Sequence, residues 1–525
     1  MQIHTVDLLI LAAYFGIIVA LGFWFSRKNT STDNYFLGGR SMPGWLLGVS
    51  LISSIMSSMT FIAGPADSFK TAWFRTVQHL AVPLGGMLAA WVFVPFFRRG
   101  TISSAYEYLH KRFGASISAY AAVAFMVMQV MRASMIMYLL AIILQSMTGV
   151  RYEWCLIIGV AVSGVYTVKG GLKAVVYLDV VQTGLLLLGA FLLLGVIFSG
   201  IGGGIPAVFS EAWVANKLSF WDIDNRTGEF GPTSWAWSFS EKTVTTFFFV
   251  GILSFLIGCL DQINVQRWCA AKSAREARKS ILVLGFGALP IWFAFKFIGT
   301  ALFVYFSHNP DPVASAILAG DGAYKAEMIV PHFIVTYLPV GIAGLVIAGA
   351  MAAAMGSLSA CISSSGMVWV GDIYKKYIKK TGDDRHYLLV GKLASGAVTM
   401  CILVSAMLVH TANTSTLADL HTSAVAVLGG SVPGLFFLGM FTRRGNKYGA
   451  WAGIAAAMCY TLYMLLGQVG ALPAGWRLPI HIYYLAFFGN MIVLGAGYLV
   501  SRLTRRRTAD LKNLTVWDQE KTPLV

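Results

Sequence analysis

Long apolar runs, separated by short polar or charged stretches, fill the chain almost from end to end. About 17 to 25 consecutive apolar residues suffice for an α-helix to cross the hydrocarbon core of a bilayer. By that measure the pattern predicts thirteen spans, at approximately 5–26, 43–66, 76–97, 115–146, 153–168, 174–199, 239–263, 280–306, 332–371, 388–409, 419–441, 448–467 and 480–501. Strands of a transmembrane barrel alternate apolar and polar over about ten residues, whereas these runs are continuously apolar, so the fold class is all-α integral membrane. The first run has neither a basic leader nor a small-residue cleavage site and reads as a retained span. Outer loops near 200–238 and 307–331 and a short polar tail from Thr504 leave no room for a second domain, so residues 1–525 read as one transmembrane unit.

Composition agrees. The 525 residues are 57% hydrophobic and 12% charged, about half the charge of a soluble domain. A net charge of +16 would point to a polyanionic partner on a soluble protein; here the placement of the charge matters more. Of 39 Lys and Arg, 28 fall in one alternating set of loops and the tail, and eight in the opposite set. The positive-inside rule then puts the N-terminus outside and the C-terminus in the cytoplasm, with anionic membrane lipid, not nucleic acid, facing the basic loops. The remaining three, Arg132, Lys296 and Lys392, lie within predicted spans. Six cysteines sit in or beside apolar runs with no metal-ligand spacing, and no HExxH, GxSxG or phosphate loop occurs, so neither an enzyme nor a resident cofactor is expected.

Polar residues inside the spans carry the candidate chemistry. The second span holds five hydroxyls, Ser53, Ser54, Ser57, Ser58 and Thr60, just before Gly64-Pro65. They read either as a small-residue packing face or as a discontinuous helix whose carbonyls and hydroxyls bind a cation and substrate. The ninth span repeats the theme: Ala353, Gly356, Ser357 and Cys361 share a face, and Ser357 and Ser359 offer hard oxygens without carboxylates, a set suited to a monovalent cation. Arg132 lies some 17 residues into the fourth span, where a guanidinium costs about 2.5–3.5 kcal/mol even on lenient insertion scales. It needs a buried carboxylate, helix carbonyls or an anionic substrate, which it can grip bidentately. Asp179 in the sixth span could bind a cation, relay protons or neutralise Lys173; the role of Lys296 stays undecided.

Four stretches in this order resemble the sodium:solute symporter family, relatives of the sodium-glucose, sodium-proline and sodium-sialic acid transporters. They are Asn34–Ser41 with Gly44-Trp45, Gly170–Gln182, Asp261–Arg267 with Ala271–Ser273, and Gly371–Tyr374. Ser57–Phe61, Thr101–Leu109, Ala301–Tyr305 and Phe333–Thr336 with Gly341–Leu345 are similar to the bacterial sialic acid branch. The resemblance implies a leucine-transporter-like fold: one leading helix, two five-helix inverted repeats over about 41–199 and 239–441, and two trailing helices. It implies a sodium-coupled symporter in the bacterial inner membrane importing an anionic sugar such as sialic acid, or alternatively another small carboxylate or a sugar. Substrate contacts would fall on Ser57, Thr60, Phe74, Gln78 and Arg132. The main sodium site would fall on the carbonyls of Ser53 and Met56 and on Ala353, Gly356 and Ser357. Gly356 stands where the family usually carries a hydroxyl, which implies weakened ion affinity unless water or Ser54 replaces it. A second cation or proton site would draw on Asp179 and Ser359; with Gly356 and Ala360 lacking hydroxyls, a single coupled sodium is expected.

Overall fold

The computed structural model describes all residues except 1–3, 27–29, 100–101, 103, 225–227, 321–323, 412–429, 505–510 and 519–525. Almost every apolar run is helical. The first forms α1 (Thr5–Ser26). The second forms α2 (Gly44–Ile55) and α3 (Met59–Lys70), bent by 69° where the chain leaves the helix at Met56 and Ser57. Next come α4 (Thr76–Arg98), the amphipathic α5 (Ala105–Phe113) and α6 (Ala115–Thr148). α7 (Tyr152–Ser199) contains the fifth and sixth predicted spans, which meet at Gly171 with φ 62° and ψ −169°, a conformation open mainly to glycine.

The seventh run is also broken: α8 (Val244–Cys259) and α9 (Gln262–Ala270) are bent by 61°. Asp261 caps α9, its Oδ1 accepting from the Ile263 amide at 2.9 Å. α10 (Ala274–His308) follows. The ninth run is shorter than expected: 332–337 belongs to a separate helix, Ile329–Tyr337, and α11 (Ile342–Val368) begins after Pro339 and Gly341 interrupt the apolar stretch. α12 (Asp384–Thr411), α13 (Val432–Phe441), α14 (Lys447–Gln468) and α15 (Ile482–Leu503) complete the set. Residues 419–429 of the predicted eleventh span lie outside the described residues. Among the described residues nine helices are long and apolar enough to cross a membrane, or up to eleven if each bent pair is one span.

Buried along nearly its whole length, α11 forms the centre of the molecule. Its Ala, Gly and Ser residues let α1, α2, α6, α7 and α12 approach closely. Asp7 of α1, itself buried, accepts at Oδ1 from the amides of Gly341 and Gly344 at 2.7 and 2.8 Å and so caps the start of α11. The connections between spans hold the helices Gly204–Val214 and Pro312–Ala319 and a two-stranded antiparallel hairpin, β1 (Trp221–Ile223) with β2 (Phe230–Pro232).

Candidate substrate and ion site

A helix that ends at bilayer depth strands its last carbonyls, which must find partners in protein, ion or ligand. α2 ends at Ile55, and the partners of its last turn come from two other helices. Ser357 of α11 donates from Oγ to the carbonyl of Met56 at 2.6 Å and reaches that of Ser54 at 3.1 Å. Arg132 of α6 donates from Nη2 to the same Ser54 carbonyl at 3.2 Å. One turn along α6, the Ile136 carbonyl accepts from Ser58 Oγ at 3.1 Å. The sequence therefore meets a discontinuous helix here, and α6 and α11 close around the break.

Gly356 is a close-approach position. A Cβ there would stand 2.1 Å from Ser53 Oγ and 3.3 Å from the Ser53 carbonyl. The hydroxyl occupying this space is that of Ser53, whereas Ser54 donates its own to Leu51 at 2.7 Å. Ala353, Met56 and Ser357 are buried around it. Ser359 donates to the Gly356 carbonyl within its own helix at 3.0 Å and faces Tyr166 of α7.

Arg132 is partly buried, and no carboxylate among the described residues forms an ion pair with it. One turn before it, Gln129 donates to Asp261 Oδ2 at 3.0 Å and accepts from Cys361 Sγ at 3.1 Å. The second break, at Asp261, is thereby joined to α6 and α11 beside Arg132. Sequence reasoning missed this break; the signal was Asp261 itself, an N-cap residue set in an apolar run. A cavity of about 750 Å³ also touches Asp261, together with Tyr106, Thr461 and Asn490. Among the described residues Asp261 is the only charged one in its lining, and Arg132, Ser57 and Thr60 do not line it.

The other expected residues are placed less uniformly. Ser57 is buried at the break, and Thr60 is half-buried just beyond, its hydroxyl accepting from the Ser57 amide at 3.4 Å. Gln78 is half-buried on α4, its backbone against Gly251 of α8. Phe74 is not brought to Arg132: it lies in a separate apolar cluster with Val77, Phe247 and Tyr484, its ring 4.7 Å from that of Phe247.

Asp179 is fully buried, and its partner is not Lys173. Arg267, which its polar neighbours in the sequence assign to a cytoplasmic loop, lies wholly buried on α9 with Nη2 3.4 Å from Asp179 Oδ2. Ser50 donates to the same oxygen and accepts from Arg267 Nε at 2.9 Å. The Oδ1 atom accepts no hydrogen bond among the described residues. Lys296 finds a partner too, pairing with Asp67 of α3, which also binds Arg75 at 2.8 Å.

With this geometry in place, known proteins can be set beside it. The profile of the sodium:solute symporter family matches residues 35–456. The chain belongs to that family. It is 30% identical to the sodium/sialic acid symporter SiaT of Proteus mirabilis, over 99% of each chain, and 28% identical to the sodium/sialic acid symporter NanT of Aliivibrio fischeri, over 95% of this chain and 93% of that one. A solved Na+-coupled sialic acid symporter, in a substrate-bound outward-open state described as revealing a novel Na+ site, superposes with a TM-score of 0.84 at 27% identity, over 97% of this chain and 100% of that one. The nucleobase-cation-symport-1 transporter Mhp1 shares the fold alone, with a TM-score of 0.53 at 15% identity, over 93% of this chain and 98% of that one. The fold is leucine-transporter-like, and the chain is a multi-pass membrane protein whose coupling ion is sodium.

Proposed function

We propose that the chain is a sodium-driven importer of an anionic sugar of the sialic acid class in a bacterial inner membrane, with its N-terminus outside and its C-terminus in the cytoplasm. Arg132 carries this reading. It is a guanidinium at bilayer depth, held by one carbonyl, with no carboxylate among the described residues within ion-pair distance and Asp261 attracting it only from farther off. A carboxylate ligand supplies the direct partner that Asp261 does not, and two parallel N–H···O bonds supply orientation. Ser57 and Thr60, at the adjoining break, bind sugar hydroxyls; Gln78 adds an amide, and Phe74 supports the outer wall from its apolar cluster. The cavity at Asp261 is not assigned to the anion, because that carboxylate, the one charged group in its lining among the described residues, would repel a carboxylate.

Sodium is placed between α2 and α11, where Ser357 already bridges carbonyls and Gly356 lets Ser53 come close, with Ala353, Met56 and Ser53 completing the oxygen set. Oxygen ligands of this kind, without a carboxylate, suit a weakly held monovalent ion. The relatives' printed substrates support the same reading. A symporter for another small carboxylate is the second reading, since Arg132 recognises charge before it recognises a ring.

Uptake of labelled sialic acid into proteoliposomes containing the purified chain tests both. Uptake requires an inward sodium gradient, and Arg132→Ala lowers it at least about 100-fold, the cost of leaving a buried carboxylate without its charged partner. Sodium-independent uptake, or full uptake by the Arg132 variant, contradicts the proposal. No uptake of labelled sialic acid, together with sodium-driven and Arg132-dependent uptake of a labelled monocarboxylate, favours the second reading.

A further inference from the structure

Two turns beyond Thr60, about 10 Å along α3, Asp67 is shared by two cations. Its Oδ1 binds Arg75 Nη1 at 2.8 Å, and its Oδ2 pairs with Lys296 of α10. The side chains of Asp67 and Lys296 are 9% and 6% exposed, whereas that of Arg75 is 45% exposed. Asp67 and Lys296 therefore form the closed pair, and Arg75 is the surplus cation, held at one edge of its guanidinium. Asp222 of β1 also acts on Arg75, but it is already paired with Lys242. These pairs set two carboxylates against three cations. Tyr483 of α15 acts on Arg75 as well; it is 44% exposed, and its ring stands 5.4 Å from that of Phe247, which packs on Phe74. In the chain, Arg75 lies between Phe74 and Gln78, both assigned above to the substrate.

We propose that Arg75, with the Tyr483 ring beside it, is a separate outer station for the anionic sugar, where its carboxylate is captured before it passes to Arg132. This rests on the proposed function, which supplies both the substrate class and the orientation that puts this end of α3 outside. A carboxylate approaching Arg75 meets a net positive field, which raises the rate of encounter. The guanidinium carries five N–H donors, more than its contact with Asp67 can use. Asp67 also holds the group in place, so less side-chain freedom is lost when an anion binds. The half-exposed ring of Tyr483 adds an apolar face and a hydroxyl for the sugar. Water screens Arg75 far more than Arg132, which is partly buried at the break, so the outer hold is the weaker of the two. That ordering lets the station release its anion inward.

The test is initial uptake of labelled sialic acid into proteoliposomes containing the full-length chain, at fixed sodium, with ionic strength raised by choline chloride. For the unaltered protein kcat/KM falls as salt rises, because charge steers the capture. Arg75→Gln lowers kcat/KM about fivefold at low salt, flattens its salt dependence and leaves kcat within about twofold. Arg75→Lys, which keeps the charge, restores most of the capture rate and the salt dependence with it. Tyr483→Ala, which breaks no ion pair, also lowers kcat/KM but keeps the salt dependence. Two results for Arg75→Gln overturn the inference: a loss confined to kcat, or a lower kcat/KM with the salt dependence of the unaltered protein. In either case Arg75 serves only to brace Asp67 and Lys296. An unchanged kcat/KM in Arg75→Gln or in Tyr483→Ala overturns it as well. Absence of sodium-driven sialic acid uptake by the unaltered protein is a different result, and overturns the functional reading beneath the inference.

Discussion

Arg267 and Asp179 show what a single residue needs in order to stay charged inside this fold. Each is fully buried, and Ser50 bridges them. A buried pair with one member removed leaves an uncompensated charge, which costs about 3–5 kcal/mol. Asp179→Asn and Arg267→Gln should therefore each lower the thermal unfolding temperature of the detergent-purified protein strongly. The double variant should be milder than either, giving a large coupling in a double-mutant cycle; additive losses would show that the pair is not the source of the effect. The pair also bears on stoichiometry. Asp179 Oδ1 accepts no hydrogen bond among the described residues, but the carboxylate's charge is already matched by Arg267, and positions 356 and 360 carry no hydroxyl. A second sodium would meet a neutral pair and few free oxygens. One sodium per substrate is the expected flux ratio in reconstituted vesicles, and a ratio of two would place the second ion at Asp179 after all.

At the scale of helices, the C-terminal end of α13 is held by its neighbours and by the chain's own tail. Thr442 Oγ1 closes the Leu438 carbonyl, and Arg112 of α5 donates to Gly439 at 3.2 Å. The tail takes the other two: Val516 N reaches Met440 at 2.9 Å, and Trp517 Nε1 reaches Phe441 at 2.9 Å. Asp518 secures this clasp by pairing with Arg443 at 3.0 Å and accepting from Thr515 at 2.7 Å. Those bonds, with Thr515 first and Arg443 next, hold the Asp518 carboxyl below its usual range. A depressed carboxyl stabilises the fold above its unfolded value near 3.8, and that contribution fades as pH falls through the lower folded value. Truncation after Thr504 removes two caps worth about 0.5–1.5 kcal/mol each, so the unfolding temperature should fall by a few degrees. The difference between truncated and full-length protein should shrink below about pH 3.8; a constant difference would remove Asp518 from the clasp. None of this was legible in the sequence, where the tail reads only as short and polar. Hydropathy did place α1, α4, α6, α12 and α14 to within a few residues, because a bilayer demands long apolar runs and little else. It could not show the break at Asp261 or the burial of Arg267. α9 is a short helix of mixed polarity, and its polar face turns inward to Asp179, Ser363 and the Phe36 carbonyl.

For the molecule as a whole, the two bent pairs carry an argument about symmetry. α2/α3 opens the first proposed repeat, about 41–199, and α8/α9 opens the second, about 239–441; each breaks by more than 60° near mid-span. Paired discontinuous helices with the site at their breaks are the mark of inverted repeats. Five spans separate the start of one repeat from the start of the next, so the two pairs must run in opposite directions across the bilayer. The proposed orientation, from the positive-inside rule, says which direction is which. Arg151, 78% exposed in side chain, should face outward at the junction before α7, and Lys379, exposed between α11 and α12, should face the cytoplasm. In a cysteine-free background, Arg151→Cys should react with a membrane-impermeant maleimide on intact cells, while Lys379→Cys should react only after the membrane is opened. Labelling of both on intact cells would mean that an odd number of crossings does not separate them. Labelling in the opposite sense would reverse the orientation and require the 28 basic residues of the cytoplasmic set to face outward, against the field that orders such loops.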